Sequence, residues 1–271
     1  MNLHQRILSY NDCYLRGQTI RPRGVMVHST GANNPNLSRY VGPDDGLLGQ
    51  NPNNNHWNMS GVGACVHAFI GRLADGSIAS YQTLPWNWRG WHCGSGRSGS
   101  ANNTHISFEI CEDGLDDREY FDAVYREAVE LTAHLCELYG LDPLEDGVVI
   151  CHSEGYRRGV ASNHGDVMHW FPKFGKNMDG FRADVSRELK GDEDDMTQEQ
   201  FNQMMTEYER TKNPVPDNTP ADWEAPAVQW ARDNGLLAGD RSGNLMLHSN
   251  MTRAQFLVML KKYHEKKSEI R

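Results

Sequence analysis

The sequence predicts an α/β domain with a mixed central β-sheet flanked by helices, followed by a small all-α C-terminal module. Short apolar runs with strand character recur through the first 190 residues, with one long amphipathic helix among them. Acidic and proline-rich segments then interrupt the pattern. We therefore expect a domain over residues 1–190, an acidic linker with an amphipathic helix over 191–220, and a helical module over 221–271.

Five strands are expected in the first domain. The first is a buried apolar run that ends in polar residues, which the strand carries to the edge of the sheet. The second and third flank an Asp75-Gly76 turn, so they are expected to pair as a hairpin. The predicted strands are residues 24–30, 65–71, 77–81, 105–111 and 148–151.

The most regular predicted helix extends from Arg118 to Tyr139. Apolar residues recur there every three or four positions, and Gly140 follows as a stop signal. A second amphipathic helix is expected over residues 197–212, where its apolar face needs a partner. Two further helices are expected in the C-terminal module, roughly at 224–234 and 252–264.

Composition excludes several classes of protein. The formal net charge is −9, and neither part of the chain offers a basic surface, so nucleic acid is not an expected partner. No apolar run is long enough for a signal peptide or a membrane span, which predicts no membrane insertion. The six cysteines are far apart and form no C-x-x-C pair, so we expect most of them to be buried thiols rather than parts of a disulfide scaffold or a zinc ribbon.

Histidines are concentrated in the first 190 residues, which contain ten of the twelve. His28, His152 and the cluster His164-Gly165-Asp166 lie at the ends of predicted strands or in the loops beyond them. A catalytic zinc ion takes three protein ligands and leaves a fourth position for water, and ligands from separated strand ends suit this geometry. These residues therefore form a candidate metal site.

Six short motifs occur in order between residues 20 and 190. They are Val25–Thr30, Val66–Ile78, Gly90–Gly94, Asn103–Ile110, Cys151–Glu154 and Asp166–Phe171. Together they resemble the motif series of type 2 N-acetylmuramoyl-L-alanine amidases, a family that includes peptidoglycan recognition proteins and phage lysins. The resemblance implies the fold of that family and a peptidoglycan hydrolase that cleaves the amide bond between the lactyl group of N-acetylmuramic acid and L-alanine.

The resemblance also implies roles for individual residues. His28, His152 and Asp166 match the family's zinc ligands. Glu109 matches the glutamate that activates or orients water, and strand alternation would point it to the site. His164 stands where many members carry a lysine that steadies the oxyanion. Because a histidine changes its charge near neutral pH and a lysine normally does not, this difference is expected to alter the pH profile.

Four other matched side chains are candidate substrate-binding residues. Trp91 and Trp170 are expected to line a sugar or peptide groove, with core packing as the equal alternative. His67 and His92 are expected behind the ligands or in the wall of the groove. His169 is expected to be structural rather than a ligand.

The C-terminal part resembles a different motif. Residues 222–240 and 251–256 are similar to one S-layer homology motif, a type of unit that usually binds secondary cell-wall polymers. Because only one copy is present, homo-oligomer formation is an equal alternative to attachment to the wall.

The whole architecture resembles a phage or prophage endolysin of a Gram-positive host. Such a protein is synthesised in the bacterial cytoplasm without a signal peptide and acts on the cell wall after release. Two rival hypotheses remain. One is a peptidoglycan-binding protein without catalysis, and the other is a Cys-His peptidase that uses Cys93 or Cys151.

Overall fold

The first unit of the chain is built on a six-stranded mixed β-sheet, which confirms the predicted fold class. The structure is a computed structural model that describes residues 1–191, 201–206, 208 and 217–269. The chain divides into two compact units, residues 1–193 and 194–271. The strands lie in the order β1-β4-β3-β5-β2-β6. Their bounds are β1 Leu3–Gln5, β2 Gly24–Asn33, β3 Ala68–Arg72, β4 Ile78–Gln82, β5 His105–Glu112 and β6 Val149–Cys151.

Strands β2, β5 and β6 lie side by side and parallel at the centre and one edge of the sheet. Their apolar residues are buried on both faces, as is usual for parallel strands covered by helices. Parallel strands bring their C-terminal ends to the same edge of the sheet. The residues at and just after these ends are therefore collected in one place, and His28 pairs in register with Glu109 there.

Helix α2, Arg118–Tyr139, covers the sheet and has the predicted bounds. The Asp117 carboxylate accepts a hydrogen bond from the backbone N–H of Tyr120 at 3.0 Å, which satisfies a free donor of the first turn. Gly140 ends the helix in the left-handed conformation, at φ +62°. The apolar face of α2 packs into the main core, where Phe121 is fully buried.

Several elements were not predicted: β1, α1 (Asp12–Arg16), α3 (His152–Arg158) and α4 (Met178–Leu189). The first three are short, so they show little periodicity. Four of the six cysteines are buried thiols, as expected. The expectation was wrong for Cys13 and Cys65, which form a disulfide across 52 residues of sequence. Their contact depends on the tertiary fold, which the spacing does not show.

The second unit contains α5, Ala225–Asp233, and α6, Arg253–Glu269, close to the two predicted helices. Trp230 of α5 and Tyr263 of α6 meet edge to face, with ring centroids 6.4 Å apart. Residues 201–206 are helical, whereas residues 197–200, 207 and 209–212 of that predicted helix lie outside the described residues, as does the acidic run. None of the helices in the described part of the chain is long and apolar enough to cross a membrane.

Candidate metal centre

The three predicted metal ligands meet at the C-terminal edge of the sheet. His28 lies on β2, and His152 is the first residue of α3, directly after β6. Because β2 and β6 are paired neighbours, the two imidazoles are brought together. Asp166 lies in the turn after α3, and its carbonyl accepts a hydrogen bond from the backbone N–H of Ser153 at 3.4 Å. This contact holds the turn against the start of α3.

The ligand atoms are close enough to share one ion. Nδ1 of His28 lies 2.9 Å from Oδ2 of Asp166 and 3.2 Å from Nδ1 of His152. Nδ1 of His152 lies 3.5 Å from Oδ1 of Asp166. All three ligand atoms lie within 4.8 Å of one another. Two imidazole nitrogens and one carboxylate oxygen are a donor set that suits zinc.

The Nε2 atoms of His28 and His152 each contact a neighbouring side chain. The Ser162 hydroxyl donates to the carbonyl of Cys93 at 3.1 Å, so its oxygen accepts from Nε2–H of His152 at 3.3 Å. A proton on Nε2 leaves the lone pair of Nδ1 facing the other ligands. Nε2 of His28 lies 3.0 Å from Nδ1 of His92, so Nε2–H of His28 can donate a hydrogen bond to Nδ1 of His92. Such partners fix the ring orientation of metal-binding histidines.

The charges at the site also suit a cation. Burial lowers the pKa of His28, which favours the neutral imidazole that a metal ion requires. Burial opposes ionisation of Asp166, but the adjacent rings of His152 and His28 hold the pKa of Asp166 far below its usual range. The site therefore offers two imidazole nitrogens and a carboxylate, so the residues present fit a divalent ion.

The ligands lie in an open cleft of about 710 Å³. Glu109 lines this cleft, and its Oε2 atom is buried without a hydrogen-bond partner among the described residues. Burial raises the pKa of Glu109 well above its usual range, and the nearby Asp166 and Glu112 carboxylates raise it further. A buried carboxyl of this kind is a typical proton acceptor or donor in catalysis.

Two other predicted residues line the cleft. Nδ1 of His164 lies 3.1 Å from the Ser162 hydroxyl oxygen, and its ring centroid lies 4.7 Å from that of His152. Trp91 is 44% exposed, with the Arg89 guanidinium carbon 5.2 Å from its ring centroid. A broad exposed indole at the edge of a polar cleft can contact a sugar or peptide.

The structure corrects the expectations for Trp170 and His67. Trp170 is fully buried and packs on Phe121 at a centroid distance of 5.3 Å, so it belongs to the core and cannot line a groove. His67 is also fully buried. Its Nε2–H donates to the carbonyl of Trp88 at 2.7 Å, and its Nδ1 accepts from the backbone N–H of Ser107 at 3.0 Å. His67 therefore supports the wall from behind and does not contact substrate.

His92 combines the two roles that the sequence allowed. It lines the cleft, and its Nδ1 atom lies against His28 as described above. Its backbone N–H donates to the Asn102 side chain at 2.8 Å, which fixes its position. Ser162 was missed by the sequence reasoning because a lone serine in a loop carries no motif.

The two cysteines of the peptidase hypothesis are poorly suited to nucleophilic attack. Cys93 and Cys151 are both buried, and burial raises the pKa of each thiol. A catalytic cysteine needs a lowered pKa and access to the substrate. Neither cysteine meets these requirements.

A family model and solved structures are similar to the first unit. A model described as N-acetylmuramoyl-L-alanine amidase matches residues 18–168. The structure of Staphylococcus aureus hydrolase AmiA in complex with its ligand has a TM-score of 0.50 and 20% identity, and covers 70% of this chain and 83% of that chain. A mutant endolysin from Bacillus subtilis has a TM-score of 0.43 and 23% identity, and covers 68% of this chain and 99% of that chain. No curated protein matches significantly. The likeness to AmiA shows a shared fold.

Proposed function

Because the chain belongs to the N-acetylmuramoyl-L-alanine amidase family, we propose that it is a zinc-dependent peptidoglycan hydrolase of the endolysin type. The bond that it cleaves is the amide between the lactyl group of N-acetylmuramic acid and the first L-alanine of the stem peptide. The observation that carries the proposal is the convergence of His28, His152 and Asp166 at the floor of an open cleft. Three ligands beside an open cleft would leave a fourth position accessible, as in a catalytic rather than a structural zinc site.

A zinc ion, when bound, supplies Lewis acidity that polarises a carbonyl and lowers the pKa of water to roughly 7. Glu109 lines the same cleft and accepts the proton of the attacking water, since its raised pKa makes its carboxylate a better base. The same carboxyl then passes the proton to the leaving amine of L-alanine. His164 donates an N–H to the developing oxyanion, and Trp91 contacts the substrate at the edge of the cleft.

The test is digestion of purified sacculi by the zinc-loaded full chain. We expect new free N-terminal L-alanine and no new reducing sugars. Chelation should abolish the reaction, whereas thiol alkylation should leave it intact. New reducing ends would show cleavage of the glycan instead. Binding to sacculi without any new chain end would favour the peptidoglycan-binding hypothesis.

We propose that the C-terminal unit directs the enzyme to the wall or assembles copies of it. This proposal is supported by its resemblance to one S-layer homology motif and by the helix, turn and helix of residues 225–269. His248 connects parts of this unit, because Nδ1 lies 2.7 Å from Oδ1 of Asp217 and Nε2 lies 3.1 Å from Oε2 of Glu224.

A further inference from the structure

Glu154 and Arg182 form an ion pair that the proposed reaction does not use. Nη1 of Arg182 donates to Oε2 of Glu154 at 3.0 Å, and Nη2 donates to Oε1 at 3.2 Å, so one guanidinium binds both carboxylate oxygens. The pair joins two helices, because Glu154 lies on α3 and Arg182 lies on α4. The exposed fractions of the two side chains are only 16% and 19%. A two-point contact of this kind is stronger and more directional than a single contact between exposed charges.

The same two side chains also bind the backbone around His152. Oε2 of Glu154 accepts a hydrogen bond from the backbone N–H of Cys151, the residue directly before His152, at 3.2 Å. Nη1 of Arg182 donates to the carbonyl of Val149 at 2.9 Å, at the start of β6. Strand β6 is at the edge of the sheet, where backbone carbonyls need partners from outside the sheet. The pair therefore holds both the strand that leads into His152 and the helical turn that follows it.

His152 depends on this support more than the other imidazole ligand does. His28 lies inside the ten-residue strand β2, whereas His152 follows a three-residue strand and begins a seven-residue helix. A helix this short is held mainly by its contacts with the rest of the fold. The position of the His152 backbone decides whether Nδ1 stays near Nδ1 of His28, now 3.2 Å away. An ion binds more tightly to ligands that are already in place, because it does not have to order them.

We propose that Glu154 and Arg182 are positioning residues that set the zinc affinity of the site by holding the backbone on both sides of His152. This inference rests on the proposed zinc-dependent function, since it assumes that His152 is a zinc ligand. Arg182 lies outside the six sequence motifs and beyond residues 18–168, which the family model matches. Its role is therefore argued from the contacts alone.

The test measures the zinc affinity of the metal-free full chain by competition with a chromophoric chelator. Arg182→Gln removes the two-point contact, and Arg182→Lys keeps the charge but replaces the planar fork by a single nitrogen. Arg187→Gln is the matched control. Arg187 lies on the same helix and pairs with Asp184 three residues away at 2.9 Å, as Arg182 does with Asp179 at 2.6 Å. Urea unfolding of each metal-free variant shows that it is folded.

We expect both Arg182→Gln and Arg182→Lys to raise the Kd for zinc about 10-fold, the lower end of the effect of removing a contact that orients a metal ligand. Arg187→Gln should keep the wild-type Kd. The direction is informative, because loss of a positive charge alone would strengthen the binding of a cation and lower the Kd. A raised Kd in Arg182→Gln therefore reports the position of the ligand and not the charge.

A wild-type Kd in both Arg182 variants would overturn the inference and leave the zinc site standing. A lower Kd in Arg182→Gln with a wild-type Kd in Arg182→Lys would also overturn it, because the pair would then act through charge only. If Arg182→Gln does not fold, Arg182→Lys decides. A wild type that binds no zinc would instead refute the proposed zinc-dependent function, and the inference with it.

Discussion

Glu109 stands beside His28 in the paired register of β2 and β5, but it is not one of the three converging ligands. Binding of the ion and transfer of the proton are therefore assigned to different side chains. This separation allows the two functions to be tested independently by substitution.

We expect Glu109→Gln to lower kcat by about 10²- to 10⁴-fold, the usual contribution of a general base. Zinc content should stay at the wild-type level because the three ligands are untouched. The amide is tolerated because Oε2 has no partner among the described residues that would be lost. Hydrolysis of muropeptide and metal analysis measure the two effects. Loss of zinc together with activity would instead place Glu109 among the ligands.

His67 predicts a dependence of stability on pH. Burial lowers its pKa from 6.5 to about 4 in the folded chain. The unfolded chain therefore binds the proton first as the pH falls. The contribution of neutral His67 to the stability of the fold is complete above pH 6.5 and is lost as the pH falls from 6.5 towards 4.

Urea unfolding at pH 7 and pH 5 measures this contribution. Between those values the wild type should lose about 2 kcal/mol more stability than His67→Gln, which keeps a donor and an acceptor but does not titrate. Other titrating groups, including His28, His152 and Asp166, act alike in both proteins and cancel in the difference. An equal loss in both would mean that His67 does not cause the acid sensitivity.

The sequence predicted the three residues that could hold a metal ion because His28, His152 and Asp166 lie within recognisable motifs. The sequence could not decide whether Trp170 lies in the core or in a groove, because a tryptophan that follows a turn shows the same sequence pattern in both places. The approach of His169 Nε2 to within 2.8 Å of Glu112 Oε1 was also hidden, because the two residues are 57 positions apart in the sequence.

Among the secondary-structure elements, prediction succeeded where the apolar periodicity extended over many residues. Helix α2 contains 22 residues, so its apolar pattern and its stop signal agree. Strand β6 has only three residues, and its prediction depended on a run of buried apolar side chains. Helix α3 was missed because seven polar and small residues after a strand show no clear periodicity.

The end of α2 carries a prediction of its own. Gly140 has φ +62°, and a Cβ atom built there meets no atom within 4 Å. Gly140→Ala should therefore cost only the backbone strain of the left-handed conformation, about 1 kcal/mol. Gly140→Asn should cost less, because asparagine tolerates this region better. Urea unfolding of the full chain compares the two, and equal stability of the alanine variant and the wild type would contradict the assignment.

At the scale of the whole molecule, the two units differ in how they bury apolar surface. The first has a large core around α2 and the sheet. Between residues 217 and 267 of the second, no described side chain is buried. Large apolar groups are exposed there instead. They include Trp223, Trp230, Met251, Phe256, Leu257, Val258, Leu260 and Tyr263.

A unit whose described residues 217–267 form no buried core needs a partner to stabilise it. Aromatic side chains carry about 150–250 Å² of surface each, so the four aromatic residues of this set, exposed by about half, offer roughly 400 Å² per copy. The exposed methionine, leucine and valine side chains add to this area, towards the roughly 800 Å² that each partner buries in a standard interface. We propose a second copy of this chain as the partner, because α6 carries five consecutive apolar residues, Phe256 to Leu260, none of which is buried.

Light scattering after size exclusion tests this association on the full chain. The wild type should elute at a multiple of the mass of one chain, and Leu257→Asp should shift it to the monomer, because an ionised carboxylate cannot be buried in an apolar interface without a partner. Lys262→Gln on the same helix changes the net charge by the same unit at an exposed polar position and should remain associated. A monomeric wild type at high micromolar concentration would refute self-association and leave a wall polymer as the ligand of this surface.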